Sequence, residues 1–448
     1  MHCGTAAFRP AGDNARGFPR DCAMPTPLFP RWTVKTDGII APDERLPWPQ
    51  TVAMGLQHVV AMFGATVLAP LLMGFDPNVA ILMSGVGTLI FFAVTGGRVP
   101  SYLGSSFAFI GVVIAATGYA GSGGNPNLGS ALGGIIACGV LYAAIGAVVM
   151  AAGTRWIERL MPPIVTGAVV AVIGLNLAPI AVKGASGTPF DAWMALFTIL
   201  AVGSVAVFTR GMVRRLLILV GLALAYAAYV VLANGAGLGK PVVFAGVAAA
   251  PWFGLPQFAA PNFRADAIAL IAPVAIILVA ENLGHLKAVA AMTGRDLDPY
   301  MGRAFVGDGL ATIVAGYAGG TGVTTYAENI GVMAVTKIYS TVVFVVAALI
   351  AIVLGFSPKF GALIQTIPGA VLAGVSIVVF GLIAVAGAKI WVDNRVDFGE
   401  NRNLIVAAVT LVLGAGDFTL RIGGVALGGI ATATFGAILL NLLLRERR

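Results

Sequence analysis

Charged residues are scarce in this chain. Only 10% of its 448 residues are charged and 58% are hydrophobic. Apolar stretches of about 20 residues recur along nearly its whole length. A soluble domain could not bury so much apolar surface, so the composition excludes an ordinary soluble protein. The sequence instead predicts an all-α polytopic membrane protein, and its 59 glycines are typical of closely packed or broken transmembrane helices.

Signatures of a cofactor or an enzyme are also missing. The three cysteines lack the spacing of a metal site or a disulfide framework, and there is no phosphate-binding loop. No nucleophile, base and orienting group form a recognisable set. We therefore expect no cofactor, no bound metal, no enzymatic activity and no ATP-driven pumping. The energy for any transport must then come from an ion gradient or a solute gradient.

The net charge of +8 does not indicate nucleic-acid binding, because the basic residues lie in short loops between apolar spans. Residues 1–48 lack the apolar region of a signal peptide and are expected to form a disordered cytoplasmic tail. Most basic residues fall on the same side of the predicted membrane as this tail, which places both termini in the cytoplasm. Five fall on the opposite side: Lys183, Lys240, Arg264, Lys359 and Arg421.

Apolar runs between loop signals define fourteen predicted spans, numbered below as segments 1 to 14. A proline-rich stretch at 234–265 is the longest loop and divides the chain. The segments are placed at 50–73, 79–96, 100–119, 131–152, 162–183, 190–209, 214–233, 266–288, 304–319, 321–337, 339–356, 362–387, 403–416 and 424–444.

The two halves of the chain resemble each other weakly. Residues 105–108 (SSFA) precede an apolar run, as do residues 324–327 (TTYA), and Pro163 and Pro368 each precede a Gly-Leu pair in an apolar span. Seven spans separate the equivalent positions. Because seven is odd, the halves would be inverted in the membrane, which is typical of secondary transporters.

Segments 3 and 10 each begin with small or β-prone residues after glycine or proline and then become apolar. This pattern predicts a short strand leading into a half-helix, with free backbone N–H groups at mid-depth. Such irregular backbone is tolerated only where it lines a polar cavity. The alternative is two ordinary helices whose Ser and Thr side chains bond back to the helix.

Two acids lie inside apolar stretches, where an ionisable side chain usually has a function. Glu281 shares a helix face with His285 at the i, i+4 spacing, and Glu328 is expected at the start of a half-helix, where the helix dipole stabilises it. We interpret these residues as acceptors for a polar solute and as proton carriers. The alternatives are a helix–helix clamp for the first pair and a simple cap for Glu328.

Four further residues are weaker candidates. His58, in segment 1, is either a functional group or an ordinary buried histidine. Asp308 is expected to be interfacial rather than functional. Phe107 and Tyr326 are expected beside the pocket, because they occupy equivalent positions in the two halves.

At these residues the sequence resembles the nucleobase–cation symporter-2 family, also called the nucleobase–ascorbate transporters. Within the family it is most similar to bacterial uracil permeases, including the pyrimidine permease of the Rut pyrimidine-degradation pathway. The resemblance runs from about residue 45 to the C-terminus. It rests on LQHVVAMFGATVLAP at 56–70, GRVPSYLGSSFAFIG at 97–111, ILVAENLGH at 277–285 and TTYAENIGVMAVTKIYS at 324–340.

The resemblance implies a 7+7 inverted repeat with short antiparallel strands in segments 3 and 10. It implies a core domain at 49–155 and 266–357, a gate domain at 156–235 and 358–445, and an extracytoplasmic loop at 236–265. A homodimer through the gate domain is also expected.

The resemblance also implies roles for single residues. Glu281 and Glu328 would bind a pyrimidine, together with backbone amides near Phe107 and Ala327. His285 would join the proton network, and His58 matches a first-span histidine of the uracil carriers.

The expected function is therefore import of uracil or a close pyrimidine across the bacterial inner membrane by proton symport with alternating access. Purine carriers of the family usually have Gln at the position of Glu328, which favours uracil over xanthine. Asn282 and Ala327 depart from the best-known uracil carriers. A xanthine or purine permease remains an alternative, and an anion exchanger of the same architecture is a further one.

Overall fold

The computed structural model describes residues 29–119, 123–422 and 425–444. In the first half, two short strands precede the first long helix and one more strand interrupts the helices. The elements are β1 (Thr33–Val34), β2 (Glu44–Arg45), α1 (Trp48–Met73), α2 (Pro77–Val94), β3 (Leu103–Ser105), α3 (Phe109–Thr117), α4 (Leu128–Ala152), α5 (Arg155–Leu160), α6 (Pro163–Ala185), α7 (Pro189–Phe208), α8 (Gly211–Arg215), α9 (Leu217–Val230) and α10 (Ala245–Ala249).

The second half repeats this alternation of long helices with one interrupted segment, and it ends with a hairpin and a final helix. The elements are α11 (Ala265–Ile271), α12 (Val274–Thr293), α13 (Met301–Ala318), β4 (Val323–Thr325), α14 (Ala327–Thr336), α15 (Thr341–Gly355), α16 (Pro358–Gln365), α17 (Gly369–Asp393), α18 (Asn401–Ala415), β5 (Leu420–Ile422), β6 (Val425–Leu427) and α19 (Gly429–Leu443).

The helices confirm a multi-spanning architecture. Within the described residues, eight helical stretches are long and apolar enough to cross a membrane, or nine if the bent pair α15 and α16 forms one span. Each of the fourteen predicted segments contains at least one helix. The helices of segments 3, 9, 10, 11, 13 and 14 do not meet that length and hydropathy test by themselves, and α15 of segment 11 meets it only together with α16.

Segment 12 differs from its predicted bounds of 362–387. The residues at its start belong to a separate helix, α16, which is bent by 80° relative to α15, and the long helix α17 begins only at Gly369. Proline explains both boundaries. Pro358 occupies the first position of α16 and Pro368 caps α17, because a proline ring fixes φ and lacks the N–H that a helix interior requires.

The two strands predicted for segments 3 and 10 are present and pair with each other. β3 runs antiparallel to β4, with Gly104 opposite Thr324. Main-chain bonds beyond the strands lengthen the ladder, from Ser106 N to Gly322 O (2.9 Å) and from Tyr326 N to Tyr102 O (3.0 Å). The pairing therefore supplies hydrogen-bond partners for backbone groups of both interrupted segments, which lipid could not do.

The long helices pack into two groups. In the first group, α2 packs against α13 and α15, α4 against α13, and α1 against α15. In the second, α6 packs against α17, α18 and α19, and α17 against α7 and α9. The β3–β4 ladder contacts helices of the first group. α12 contacts α4 and α13 of the first group and α6 and α19 of the second, so it lies where the two groups meet.

Residues 32–46, here called the N-terminal strap, differ from the disordered tail expected over 1–48. Ile40 N donates to Lys337 O (3.0 Å) and Tyr339 N donates to Ile40 O (2.8 Å). Thr341 N donates to Pro42 O (3.1 Å). The strap therefore continues as a parallel bridge onto the turn that ends α14. Residues 1–28 lie outside the described residues.

Side chains also hold the strap in place. Asp43 forms an ion pair with Arg295 (2.5 Å), just after α12, and Trp32 Nε1 donates to Thr341 Oγ1 (2.9 Å). Ala41 N donates to the Glu44 carboxylate (2.8 Å), and this bond lowers the pKa of Glu44 below its usual value. These contacts give the strap a defined path although it carries few apolar residues.

Candidate functional site

Glu281 and Glu328 are brought to neighbouring helices. Glu281 lies on α12 and Glu328 in the first turn of α14, and the two helices contact each other. The carboxyl groups are near enough to interact electrostatically. Both residues are half-buried, as is His285 one turn after Glu281, whereas Asn282 is fully buried. The acids of segments 8 and 10 therefore lie on contacting helices, and both residues are partly accessible.

Glu281 presents an unused acceptor. Its Oε2 atom is buried and has no hydrogen-bond partner among the described residues. A buried polar atom without a partner costs about 1–3 kcal/mol, and a charged one costs more. The atom therefore indicates a position at which a ligand or a water molecule donates a hydrogen bond.

The junction between β4 and α14 positions Glu328. Tyr326 caps the helix in an extended conformation (φ −108°, ψ 127°), and Ala327, which is exposed, is the first helical residue. The first-turn N–H groups of a helix have no intrahelical partners, so they can bind acceptor oxygens of a ligand. The Glu328 carboxylate thus lies beside first-turn N–H groups of α14 that have no intrahelical partner.

The equivalent junction in segment 3 is uncharged. Ala108 N donates to Ser106 Oγ (3.3 Å), and Phe107 is half-buried. The Phe107 ring meets Phe380 of α17 edge-on, with 6.1 Å between ring centroids. Phe107 therefore lies where the first helix group faces the second and forms an apolar wall.

Tyr326 stabilises the ladder. Its hydroxyl donates to Ser105 O (2.8 Å) and accepts from Thr66 Oγ1 (3.1 Å), and only 4% of the residue is exposed. The ring lies so close to Gly104 that a Cβ there would come within 2.5 Å of it. The structure thus places the tyrosine hydroxyl against β3 and α1, with both of its hydrogen bonds made to protein.

His285 is the outer end of a buried chain of polar groups. Its Nδ1 lies 2.9 Å from Thr325 Oγ1, and the Thr325 hydroxyl donates to Asn282 Oδ1 (3.1 Å). Asn282 Nδ2 donates to Asp308 Oδ2 (2.6 Å) and to the Tyr142 hydroxyl (2.9 Å). The chain connects α12 with β4, α13 and α4.

The interfacial position expected for Asp308 is wrong. Asp308 is fully buried, because α13 begins at Met301 and the residue lies two turns inside it. Its Oδ1 atom has no partner among the described residues. Sequence reasoning missed this acid together with Tyr142, Asn282 and Thr325. The sequence signal for this acid is an aspartate followed by an apolar run, and α13 begins at Met301, before the predicted start of segment 9 at 304.

The nearest described contacts of His58 are with α14 and α15 and not with Glu281 or Glu328. Its ring packs on Phe344 (4.6 Å between centroids), and Asn329 Nδ2 lies 3.0 Å from His58 Nδ1 and 3.1 Å from His58 O. Since a carbonyl can only accept, the amide group faces it, and Nδ1 must accept as well. The proton of a neutral His58 is then on Nε2, which has no partner among the described residues. His58 thus reaches the site through Asn329, the neighbour of Glu328.

Comparison with protein families gives a match to most of the chain. Residues 49–423 match the Xan_ur_permease model, which is described as a permease family. The chain is 71% identical over 423 residues to RutG of Escherichia coli (strain K12), provisionally named a pyrimidine permease, covering 94% of this chain and 96% of that protein. It is 41% identical over 424 residues to the uracil permease of Paenibacillus larvae, covering 91% and 96%.

The fold of this chain is similar to that of a solved transmembrane domain. The transmembrane domain of the cyanobacterial bicarbonate transporter BicA superposes with a TM-score of 0.61. The match covers 87% of this chain and 96% of that domain at 14% sequence identity. At this identity the likeness concerns the fold alone.

Proposed function

The chain belongs to the permease family, and from this premise we propose that it is a secondary active transporter that imports uracil or a close pyrimidine across the inner membrane. Members of this family are permeases and not enzymes, and the chain is a multi-pass membrane protein. The named relatives, which are pyrimidine and uracil permeases, support a nucleobase as the substrate.

One observation carries the proposal: two carboxyl groups from different segments lie on contacting helices, and one of them lies in the first turn of α14, where the N–H groups have no intrahelical partners. Uracil has two ring N–H donors and two carbonyl acceptors. Glu281 and Glu328 can accept from the N–H groups, and the amides near Ala327 and Phe107 can donate to the carbonyls. Glu281 Oε2, which is buried and has no hydrogen-bond partner in the described part of the chain, is an acceptor suited to this purpose. The Phe107 ring would cover the flat face of a base.

Proton symport is the proposed coupling, with no other cofactor. Two carboxyl groups whose charges interact titrate as a pair, and the imidazole of His285 lies one turn from Glu281 on the same helix face. His58 is joined to the end of α14 that carries Glu328. A proton taken up with the substrate would relieve the repulsion between the acids, so binding of the two would be linked.

Alternating access is proposed to move the two helix groups against each other. The first group would be the core domain (49–155 and 266–357), and the second the gate domain (156–235 and 358–445), with 236–265 as the extracytoplasmic loop. Packing supports this division, because most extensive helix contacts fall within one group or the other.

The finer architecture is part of the same proposal. It comprises fourteen segments in a 7+7 inverted repeat, cytoplasmic termini and a homodimer through the gate domain. The antiparallel β3–β4 pair supports inversion, because the equivalent strands of the two halves run in opposite directions.

Uptake of labelled uracil into proteoliposomes tests the function. Uptake should rise with an inward proton gradient and fall when an uncoupler collapses it. Glu281→Gln should reduce both uptake and its dependence on the gradient. The exposed Asp393→Asn, which also removes one carboxylate, should leave uptake unchanged.

Three outcomes would contradict the proposal in different ways. Gradient-independent uptake would remove the proton coupling. Stronger competition by unlabelled xanthine than by uracil would make the chain a purine permease. Large chloride or bicarbonate fluxes without uracil uptake would favour an anion exchanger, although two acids facing the site disfavour an anion pathway.

A further inference from the structure

The polar chain behind His285 has a definite direction. Asp308 Oδ2 lies within hydrogen-bond reach of both Asn282 Nδ2 (2.6 Å) and the Tyr142 hydroxyl (3.3 Å). The Asn282 NH₂ group can only donate, so Oδ2 accepts from it, whereas the single hydrogen of the Tyr142 hydroxyl can go to Oδ2 or to Leu278 O (3.3 Å). An ionised Asp308 has no hydrogen to donate, so it requires the Asn282 amide to present its NH₂ group. Oδ2 is therefore an acceptor when Asp308 is ionised.

This fixes the orientation of the Asn282 amide. With its NH₂ group turned towards Asp308 and Tyr142, its Oδ1 faces Thr325 Oγ1 at 3.1 Å. A hydroxyl has one hydrogen to donate, and here that hydrogen goes to Asn282 Oδ1. The lone pairs of Thr325 Oγ1 remain, and they point towards His285 Nδ1 at 2.9 Å.

His285 must then be the donor in the last link. We propose that Thr325, oriented by Asn282, is a positioning residue that holds neutral His285 as the Nδ1–H tautomer and leaves Nε2 free to accept the transported proton. The role in transport rests on the proposed proton symport, whereas the tautomer itself follows from the hydrogen bonds that ionised Asp308 orients.

Burial makes this control effective. Asn282, Tyr142 and Asp308 are each fully buried, and Thr325 is 1% exposed. Water therefore does not compete for the donors and acceptors of the chain, and reversing one link requires reversing all of them. His285 itself is half-buried, so its outer nitrogen can exchange protons while its inner nitrogen is held.

The strand offers a matched pair of substitutions. Thr325→Val removes the acceptor of His285 Nδ1–H at nearly constant volume, and Thr325→Ser keeps the hydroxyl. Thr324→Val makes the same change at the adjacent residue of β4, which is also buried and whose hydroxyl has no partner among the described residues. Any general effect of placing valine in this strand should appear in both valine variants.

Nitrogen-15 NMR of histidine-labelled protein in lipid nanodiscs measures the tautomer directly. The chain has only three histidines, and His285 is assigned by the signal lost in His285→Gln. We expect Nδ1–H in the wild type, Thr324→Val and Thr325→Ser, and a mixture or Nε2–H in Thr325→Val. Asn282→Leu, which frees the Thr325 hydrogen to point at His285, should shift the population in the same direction.

Transport gives the second readout. Thr325→Val should reduce proton-driven uracil uptake by about tenfold or more, as expected when a proton carrier is misaligned. Equilibrium uracil binding should stay within a few-fold, because the pyrimidine acceptors are unchanged. Thr325→Ser should restore uptake, and Thr324→Val should retain it.

The outcomes separate the two proposals. Nε2–H in the wild type, or an unchanged tautomer in folded Thr325→Val, would overturn the positioning role. The predicted tautomers together with uptake that ignores the proton gradient would leave the positioning intact and remove proton symport. Equal loss of uptake in Thr324→Val and Thr325→Val would reduce Thr325 to a packing residue.

Discussion

The two interrupted segments have the same backbone plan and different chemistry. Each has a three-residue strand followed by a helix of about three turns, and the strands pair antiparallel. α14 has Glu328 in its first turn, whereas the first turn of α3 has no acid. Segment 10 also reaches α1 through Asn329 and α12 through Thr325. The two segments thus share a backbone scaffold, and segment 10 supplies most of the polar groups.

The largest expected difference between the two junctions is in substrate affinity. Glu328→Gln should weaken uracil binding by about 2–3 kcal/mol, because one acceptor of a ring N–H becomes partly a donor. Ser106→Ala, at the uncharged junction, loses only the bond from Ala108 N and should change affinity little. Titration calorimetry on purified protein measures both, with a thermal-unfolding control for folding. Equal losses of affinity in the two variants would mean that segments 3 and 10 both bind the base through side chains.

A second contrast concerns stability at the ladder. Gly104→Ala should lower the free energy of unfolding by about 1–3 kcal/mol, because the new methyl would press on the Tyr326 ring and on Thr66 Oγ1. Gly331→Ala in α14 has open space around it and should be neutral or stabilise by about 0.5–1 kcal/mol, since alanine is the better helix former. Unfolding in mild detergent measures both. A neutral Gly104→Ala would show that the ladder tolerates a side chain there.

The smallest contrast compares two buried tyrosine hydroxyls. Tyr326→Phe removes the donor to Ser105 O and the acceptor of Thr66, which should cost about 1–2 kcal/mol of unfolding free energy. Tyr102→Phe removes only a contact with Ser84 Oγ (3.0 Å), which keeps its bond to Ile81 O, and should cost about 0.5–1 kcal/mol. If Tyr326→Phe instead lowers uracil affinity with no loss of stability, its hydroxyl serves the substrate and not the ladder.

Local patterns were enough to predict much of this molecule. Apolar runs located helices, and the β-prone residues after Gly319 predicted a strand that indeed pairs with its counterpart. Acids inside apolar stretches pointed to Glu281 and Glu328, which the fold brings together. These features have short-range signals: hydropathy, helix periodicity and a glycine in the left-handed region (Gly319, φ 87°).

Contacts between distant residues could not be predicted in this way. Asn329 and His58 are 271 positions apart, and no local pattern announces their bond. The partners of Asp308 come from α4 and α12, and the strap pairs with a turn in the second half of the chain. Such contacts depend on how whole elements dock, which the hydropathy of any one element does not specify.

The N-terminal strap links the ends of the two helices that carry Glu281 and Glu328. It bonds to the turn that ends α14 and, through Asp43 and Arg295, to the end of α12. The C-terminal ends of α12 and α14 are therefore joined by one short segment of the chain. A movement that separated Glu281 from Glu328 along their helices would have to break these contacts. A solute bound between the two acids would therefore be carried by α12 and α14 moving together.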